Sequence, residues 1–182
     1  MTAKFSFRLR SDDWRRAMTG KIILVQHKLE TPADVLRRMF GYLLLYRERM
    51  LIETTLPDDN IVYVPDLAQL DYQLRPVLWV ECGECPLDKL NRLAVKAPEA
   101  EIWIIRQSAE EAHALMETMI HHQLRKGRYH IVGLDQTMFE EVLGLLKPRN
   151  DIFWLAGDFE PPTMQFDFNG LWFDATFTLL RF

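Results

Sequence analysis

The chain has 182 residues, 48% of them apolar and 26% charged, which fits one globular domain spanning residues 1–182 and excludes a disordered or fibrous chain. Its formal charge of −4 excludes the overall basic excess usual in nucleic-acid binders; the local clusters Arg8/Arg10/Arg15/Arg16, Arg37/Arg38 and Arg125/Lys126/Arg128 read as solvated surface. No apolar run approaches the ~18 residues of a membrane span, Met1 to Phe5 shows no signal-peptide core, and two cysteines three apart make no disulfide framework, so a cytoplasmic protein without a membrane partner is expected.

From the N-terminus, Lys4 to Arg10 alternates Phe5, Phe7 and Leu9 with polar residues, the pattern of a half-buried strand. Lys21 to Gln26 is a second strand, opened by Gly20. Thr31 is placed to cap a helix, with Pro32 in its first turn and Asp34 complementing the dipole. The apolar positions Val35, Met39, Leu43 and Tyr46 predict that this helix runs to about Met50 with a broad buried face. After the turn cluster Leu56–Asn60, Ile61 to Val64 reads as a short strand closed by Pro65-Asp66, and Val77 to Glu81 as a buried strand. Helices from Pro86 to about Lys96, from Ser108 to near Gly127 and from Asp135 to Lys147 alternate with strands over 102–105, 129–132 and 152–155. Asn169-Gly170 predicts a hairpin between 164–168 and 171–179. The alternation predicts an α/β fold, a mixed central sheet flanked by helices with antiparallel terminal strands added.

Three carboxylates stand where an oxygen-ligand site for Mg²⁺ or Mn²⁺ is commonly assembled. Glu81 ends an apolar strand beside Gly83, which allows a close approach; Asp66 follows a proline at a chain turn; Glu30 precedes the long helix. A charge closing an apolar strand needs a reason, whereas Asp66 and Glu30 are also ordinary turn and helix-start residues. Phosphodiester cleavage needs such ligands because a bound cation acidifies water and stabilises developing charge, with a lysine often adding to the latter. The usual lysine two residues beyond the last carboxylate is absent, since position 83 is Gly.

Cys82 and Cys85 stand between a strand and a helix start, the setting of a thiol redox pair or half a zinc site. No second such pair exists, and the histidines (His27, His113, His121, His122, His130) lack ligand spacing around it, so small apolar packing is the plainer reading. Strand aromatics such as Trp79, Trp103, Trp154, Trp172 and Phe166 could stack on single-stranded nucleic acid. Asp167 and Asp174 on the last hairpin favour core packing instead.

His27-Lys28-Leu29-Glu30-Thr31 with the following helix to Tyr46-Arg47-Glu48-Arg49-Met50 resembles the YaeQ family of bacterial proteins. So do Leu78-Trp79-Val80-Glu81-Cys82-Gly83, the next helix with Lys89 and Arg92, and the hairpin Asn169-Gly170-Leu171-Trp172-Phe173. The resemblance implies a restriction-endonuclease-like core of the PD-(D/E)XK superfamily with an altered motif. It matches Glu30 to the helix-start glutamate, Pro65-Asp66 to the PD element and Glu81 to the (D/E) position. The lysine place falls on Gly83, and Lys89, with Arg92 second, is the candidate for a migrated basic group. The resulting expectation is a Mg²⁺- or Mn²⁺-dependent phosphodiesterase acting on nucleic acid, with Glu30, Asp66 and Glu81 on the metal and Lys89 on the substrate. Its rivals are a non-catalytic nuclease-fold protein that binds a protein or nucleic-acid partner and a thiol-redox protein using Cys82 and Cys85.

Overall fold

A computed structural model of the chain describes residues 2–18 and 20–182. Alternation of apolar and polar residues builds one sheet and continuous apolar runs build another. The first sheet, in the order β10-β9-β8-β1-β2, contains β1 (Ala3–Ser11), β2 (Gly20–Gln26), β8 (Arg149–Phe159), β9 (Pro162–Phe168) and β10 (Leu171–Thr176). Its strands bury every second residue, as sheets with one wet face do. The second sheet, β11-β7-β6-β5-β4-β3, contains β3 (Leu51–Ile52), β4 (Leu67–Leu70), β5 (Pro76–Cys82), β6 (Glu101–Arg106), β7 (Tyr129–Gly133) and β11 (Thr178–Arg181). There β5, β6 and β7 are mutually parallel, covered on both faces and therefore apolar almost throughout.

Among the described residues, four α-helices complete four layers. α1 (Pro32–Leu45) and α4 (Gln136–Leu145) lie between the sheets, packing Phe40, Leu43 and Phe139 among Phe7, Trp154, Phe166, Val80 and Ile105. α2 (Leu87–Lys96) and α3 (Ala109–His121) cover the far face of the second sheet, where Leu90, Leu93 and Met119 pack with Trp79, Ile102 and Ile131. A Cβ on Gly41, in the middle of α1, would stand 3.0 Å from Cys82 Sγ and 3.2 Å from Leu67. The bare glycine thus lets α1 lie close against β4 and β5.

The structure corrects several sequence expectations. Most of the terminal strands form a sheet of their own, in which β1 runs parallel to β8; only β11 is added antiparallel to the second sheet, beside β7. The chain changes sheets at buried Phe177, between β10 and β11, so the last predicted strand is two. Ile61–Val64 is not a strand: the edge of β4 is already paired with β3, and Ile61 and Tyr63 pack toward the α2 side instead. Asp66 therefore opens β4 rather than closing a strand. α1 stops at Leu45, because Tyr46 turns extended and packs edge-on against Tyr42. Of the strand tryptophans, Trp172 faces solvent, 48% exposed. Among the basic clusters, Arg16 and Arg38 are buried, and Arg128 donates to the carbonyls of Ala94 in the last turn of α2 and of Ala97 and Ala100 beyond it. No helix among the described residues is long and apolar enough to cross a membrane.

The Asn169-Gly170 hairpin forms as expected, with both residues at positive φ (53° and 89°). α3 ends earlier than Gly127 suggests. Leu124 N–H donates to Met119 O (3.1 Å) and Gln123 N–H to Ile120 O (3.0 Å), with Gln123 left-handed at φ 52°. That is a Schellman closure, with glutamine where glycine is usual. Gln123 is exposed, so Gln123→Gly removes backbone strain without losing packing. It is expected to raise the unfolding free energy by about 0.5–1 kcal/mol, read from the urea midpoint; an unchanged or lower midpoint would contradict this account of the helix end.

Candidate functional site

Antiparallel pairing of β4 with β5 sets Leu67 opposite Val80, so Asp66 arrives beside Glu81 and Cys82. Alternation along β5 sends Leu78, Val80 and Cys82 toward α1, and Trp79 and Glu81 toward α2. Glu81 is 5% exposed. Its Oε1 accepts from Trp79 Nε1 at 2.7 Å and pairs with Lys89 Nζ at 2.7 Å. Lys89 comes from the first turn of α2 and lies 5.7 Å from the Tyr63 ring centroid, while Arg92 reaches the Tyr63 hydroxyl at 3.4 Å. Burial raises the Glu81 pKa above the ordinary glutamate range, with the Lys89 pairing and the Trp79 bond opposing it.

Position 83 itself has no room for a lysine. Gly83 has φ +115°, a conformation side chains rarely adopt, and a Cβ there would stand 3.0 Å from the Arg37 guanidinium. A lysine at this place would be strained and would meet a like charge.

On the α1 side of the sheet, Asp66 Oδ2 accepts from Cys82 N–H (2.7 Å) and Oδ1 from Arg38 Nε (3.0 Å). Arg38 is 1% exposed. Its remaining donors reach Val25 O on β2 (3.1 Å) and Glu30, with Glu53 at 3.4 Å. Burial works against its charge, but Asp66, Glu53 and Glu30 outweigh it and raise its pKa. Glu30 also accepts from His27 N–H (2.9 Å), and His27 Nε2 lies 2.6 Å from Glu53 Oε1. Glu53 is held at φ 45°, uncommon for a residue with a Cβ. One potential ligand atom from each of His27, Glu30 and Glu53 lies within 4.8 Å of the other two. Glu30, Glu53 and Asp66 thus face Arg38 on the α1 side of the sheet, while Glu81 pairs with Lys89 on the α2 side.

Sequence reasoning missed Arg38, Glu53 and His27. Arg38 sits three residues after Val35 and beside Met39, on the buried face of α1; a charge on an apolar helix face was the available signal. Glu53 carries none, because only its left-handed backbone turns it inward. Cys82 and Cys85 are both free. Burial first, then nearby carboxylates, pushes the Cys85 thiol up to about 12 and Cys82 well above the ordinary range. That direction is opposite to the one a reactive thiolate pair requires.

The family model described as YaeQ protein matches residues 2–153. The chain belongs to the YaeQ family. Among solved structures, YaeQ from Xanthomonas axonopodis pv. citri superposes with a TM-score of 0.75 at 18% identity, covering 100% of this chain and 99% of that one. YaeQ from Pseudomonas syringae gives 0.71 at 17% identity, over 100% and 96%. At these identities the likeness shows the fold alone. No curated protein matches the chain.

Two outcomes test this geometry. Arg38→Met strips the guanidinium from three partly buried carboxylates and is expected to destabilise the fold by about 3–5 kcal/mol, measured by urea unfolding; a loss near zero would mean the cluster is not held by Arg38. For Glu81, the folded pKa exceeds the unfolded one, so the native state binds more protons between the two values. Its contribution is full below about pH 4 and declines as pH rises through the folded value. In Glu81→Gln this component of the stability–pH curve should vanish; identical slopes in both proteins would exclude it.

Proposed function

We propose that this YaeQ-family protein is a divalent-metal-dependent phosphodiesterase with a restriction-endonuclease-like core, acting on nucleic acid. The observation that carries the reading is Lys89 Nζ at 2.7 Å from Glu81 Oε1, beside the opening of β4 where Asp66 stands. It supplies from α2 the carboxylate–lysine pair that Gly83 cannot provide.

The donor set fits a hard divalent cation. Carboxylate oxygen suits such an ion: Asp66 and Glu81 stand on the two faces of β5, and Glu30 and Glu53 lie with His27 around Arg38. Glu81 and Asp66 would hold Mg²⁺ or Mn²⁺, with Glu30 reached through the Arg38 cluster. The ion, when bound, supplies an acidified water and stabilisation of developing negative charge. Lys89 holds a positive charge against Glu81 and would be drawn toward an entering phosphate, stabilising its transition-state charge. Arg38 fixes the direction of the Asp66 carboxylate, and the Cys82 N–H fixes its second oxygen. The non-catalytic alternative rests on one observation: both Asp66 oxygens and both Glu30 oxygens already accept hydrogen bonds within the protein.

The deciding experiment is calorimetric titration of Mg²⁺ and Mn²⁺ into the wild type and Glu81→Ala, followed by a cleavage screen on DNA and RNA. We expect binding that Glu81→Ala abolishes, and cleavage that Lys89→Ala slows by about a hundredfold. A wild type that neither binds metal nor cuts any polynucleotide with metal present would leave the non-catalytic reading.

A further inference from the structure

The first sheet turns one face to α1 and α4; among the described residues no element covers the other. Its rows are fixed by strand register. Trp172 on β10 pairs with Asp167, Asp167 with Phe153, and Phe153 with Arg10. The next row sets Asp151 beside Arg8 and Arg8 beside Lys21. Above these rows runs a groove of about 700 Å³ whose walls include Arg8, Arg10, Lys147, Arg149, Phe153 and Trp172. It shares Arg8, Arg149 and Asp151 with a second depression of about 290 Å³ that extends to Lys21.

Charge is distributed unevenly between this face and the rest of the molecule. The chain as a whole is acidic, at −4, yet five cationic side chains line this surface against two carboxylates. Both carboxylates are engaged: Asp151 with Arg8 Nε at 2.5 Å, and Asp167 with Gly170 N–H at 2.8 Å. Trp172 is the open aromatic, and Phe153 is partly exposed. Trp172 is 48% exposed, and the Arg10 guanidinium lies 5.4 Å from the Phe153 ring centroid, presenting a cation beside a π-face.

We propose that this face binds a single-stranded polynucleotide. Bases stack on Trp172 and Phe153, while the backbone phosphates follow Arg10, Lys147 and Arg149. The two aromatic residues stand two strands apart, about 10 Å. That spacing suits bases splayed away from each other and excludes the continuous stack of a duplex. The groove lies on the outer face of the first sheet, away from Glu81 and Lys89 on the α2 side of the second, so the inference goes beyond the proposed phosphodiesterase, and the binding itself requires no metal.

The test is fluorescence anisotropy with labelled oligothymidylate and oligouridylate, at low salt and with EDTA, so that metal chemistry is silent. The wild type should bind, with a slope of log affinity against log salt of about −2, as for three phosphate contacts. Trp172→Ala and Phe153→Ala should each weaken binding about tenfold, and Arg10→Glu with Arg149→Glu should flatten the salt slope. All four positions are at least partly exposed, and circular dichroism of each variant controls for folding. Preference between the two oligonucleotides distinguishes DNA from RNA. The proposal is overturned if neither oligonucleotide binds, if both aromatic variants bind as the wild type does, or if polyglutamate competes as well as the oligonucleotide. A strand that is bound normally here but never cut when metal is restored overturns the phosphodiesterase reading and leaves this one standing.

Discussion

A guanidinium sealed from water must find its acceptors in the protein, and Arg38 draws them from three directions. Val25 belongs to the first sheet, Asp66 to the start of β4 in the second, and Glu30 to the approach to α1. The cost of burying the ion is offset only when all these bonds are made together. The two sheets and the helix between them are therefore registered against one another at a single point. Gly41 makes the same arrangement possible from the packing side, because α1 could not approach β4 and β5 as closely with a larger residue there. The direction of the Asp66 carboxylate, and hence its place near Glu81, follows from this clamp.

The two faces of β5 give the site its division of labour. Residues directed to α1 meet the Arg38 cluster, whose charge is structural and fixed. Glu81 and Lys89, on the α2 side, form a smaller pair in which burial, lysine charge and an indole N–H act on one carboxylate. Gly83 links the two halves: its left-handed backbone makes room for the Arg37 guanidinium. Crowding at position 83 thus excludes a side chain there.

Where local chemistry decides an element, the sequence is readable. Glu81 could be singled out because a charge at the end of Val77–Val80 has no packing explanation, and Asn169-Gly170 because its turn has few alternatives. What stayed hidden depends on partners far away in the chain. Arg38 looks like one of a solvated basic pair until the neighbours on its helix face are known to be buried. Ile61–Val64 has a strand's composition, but the edge it would need belongs to Leu51–Ile52. The closure of α3 at Gln123 defies the usual glycine signal because tertiary contacts outweigh a modest local strain.

The pairing of β1 with β8 joins residues as distant as Ser6 and Arg149. On a ribosome, the hairpin β1–β2 would emerge long before β8, exposing Phe7 and Leu9 with one strand edge unpaired. At ordinary synthesis rates that interval is on the order of ten seconds, far longer than a hairpin or a collapsed chain needs to form. The nascent protein must spend it with an incomplete first sheet, open to wrong pairing, until the last quarter of the chain arrives. The topology that sets β1 between β2 and β8 therefore makes the arrival of β8, rather than local helix or hairpin formation, the step that commits the molecule to its fold.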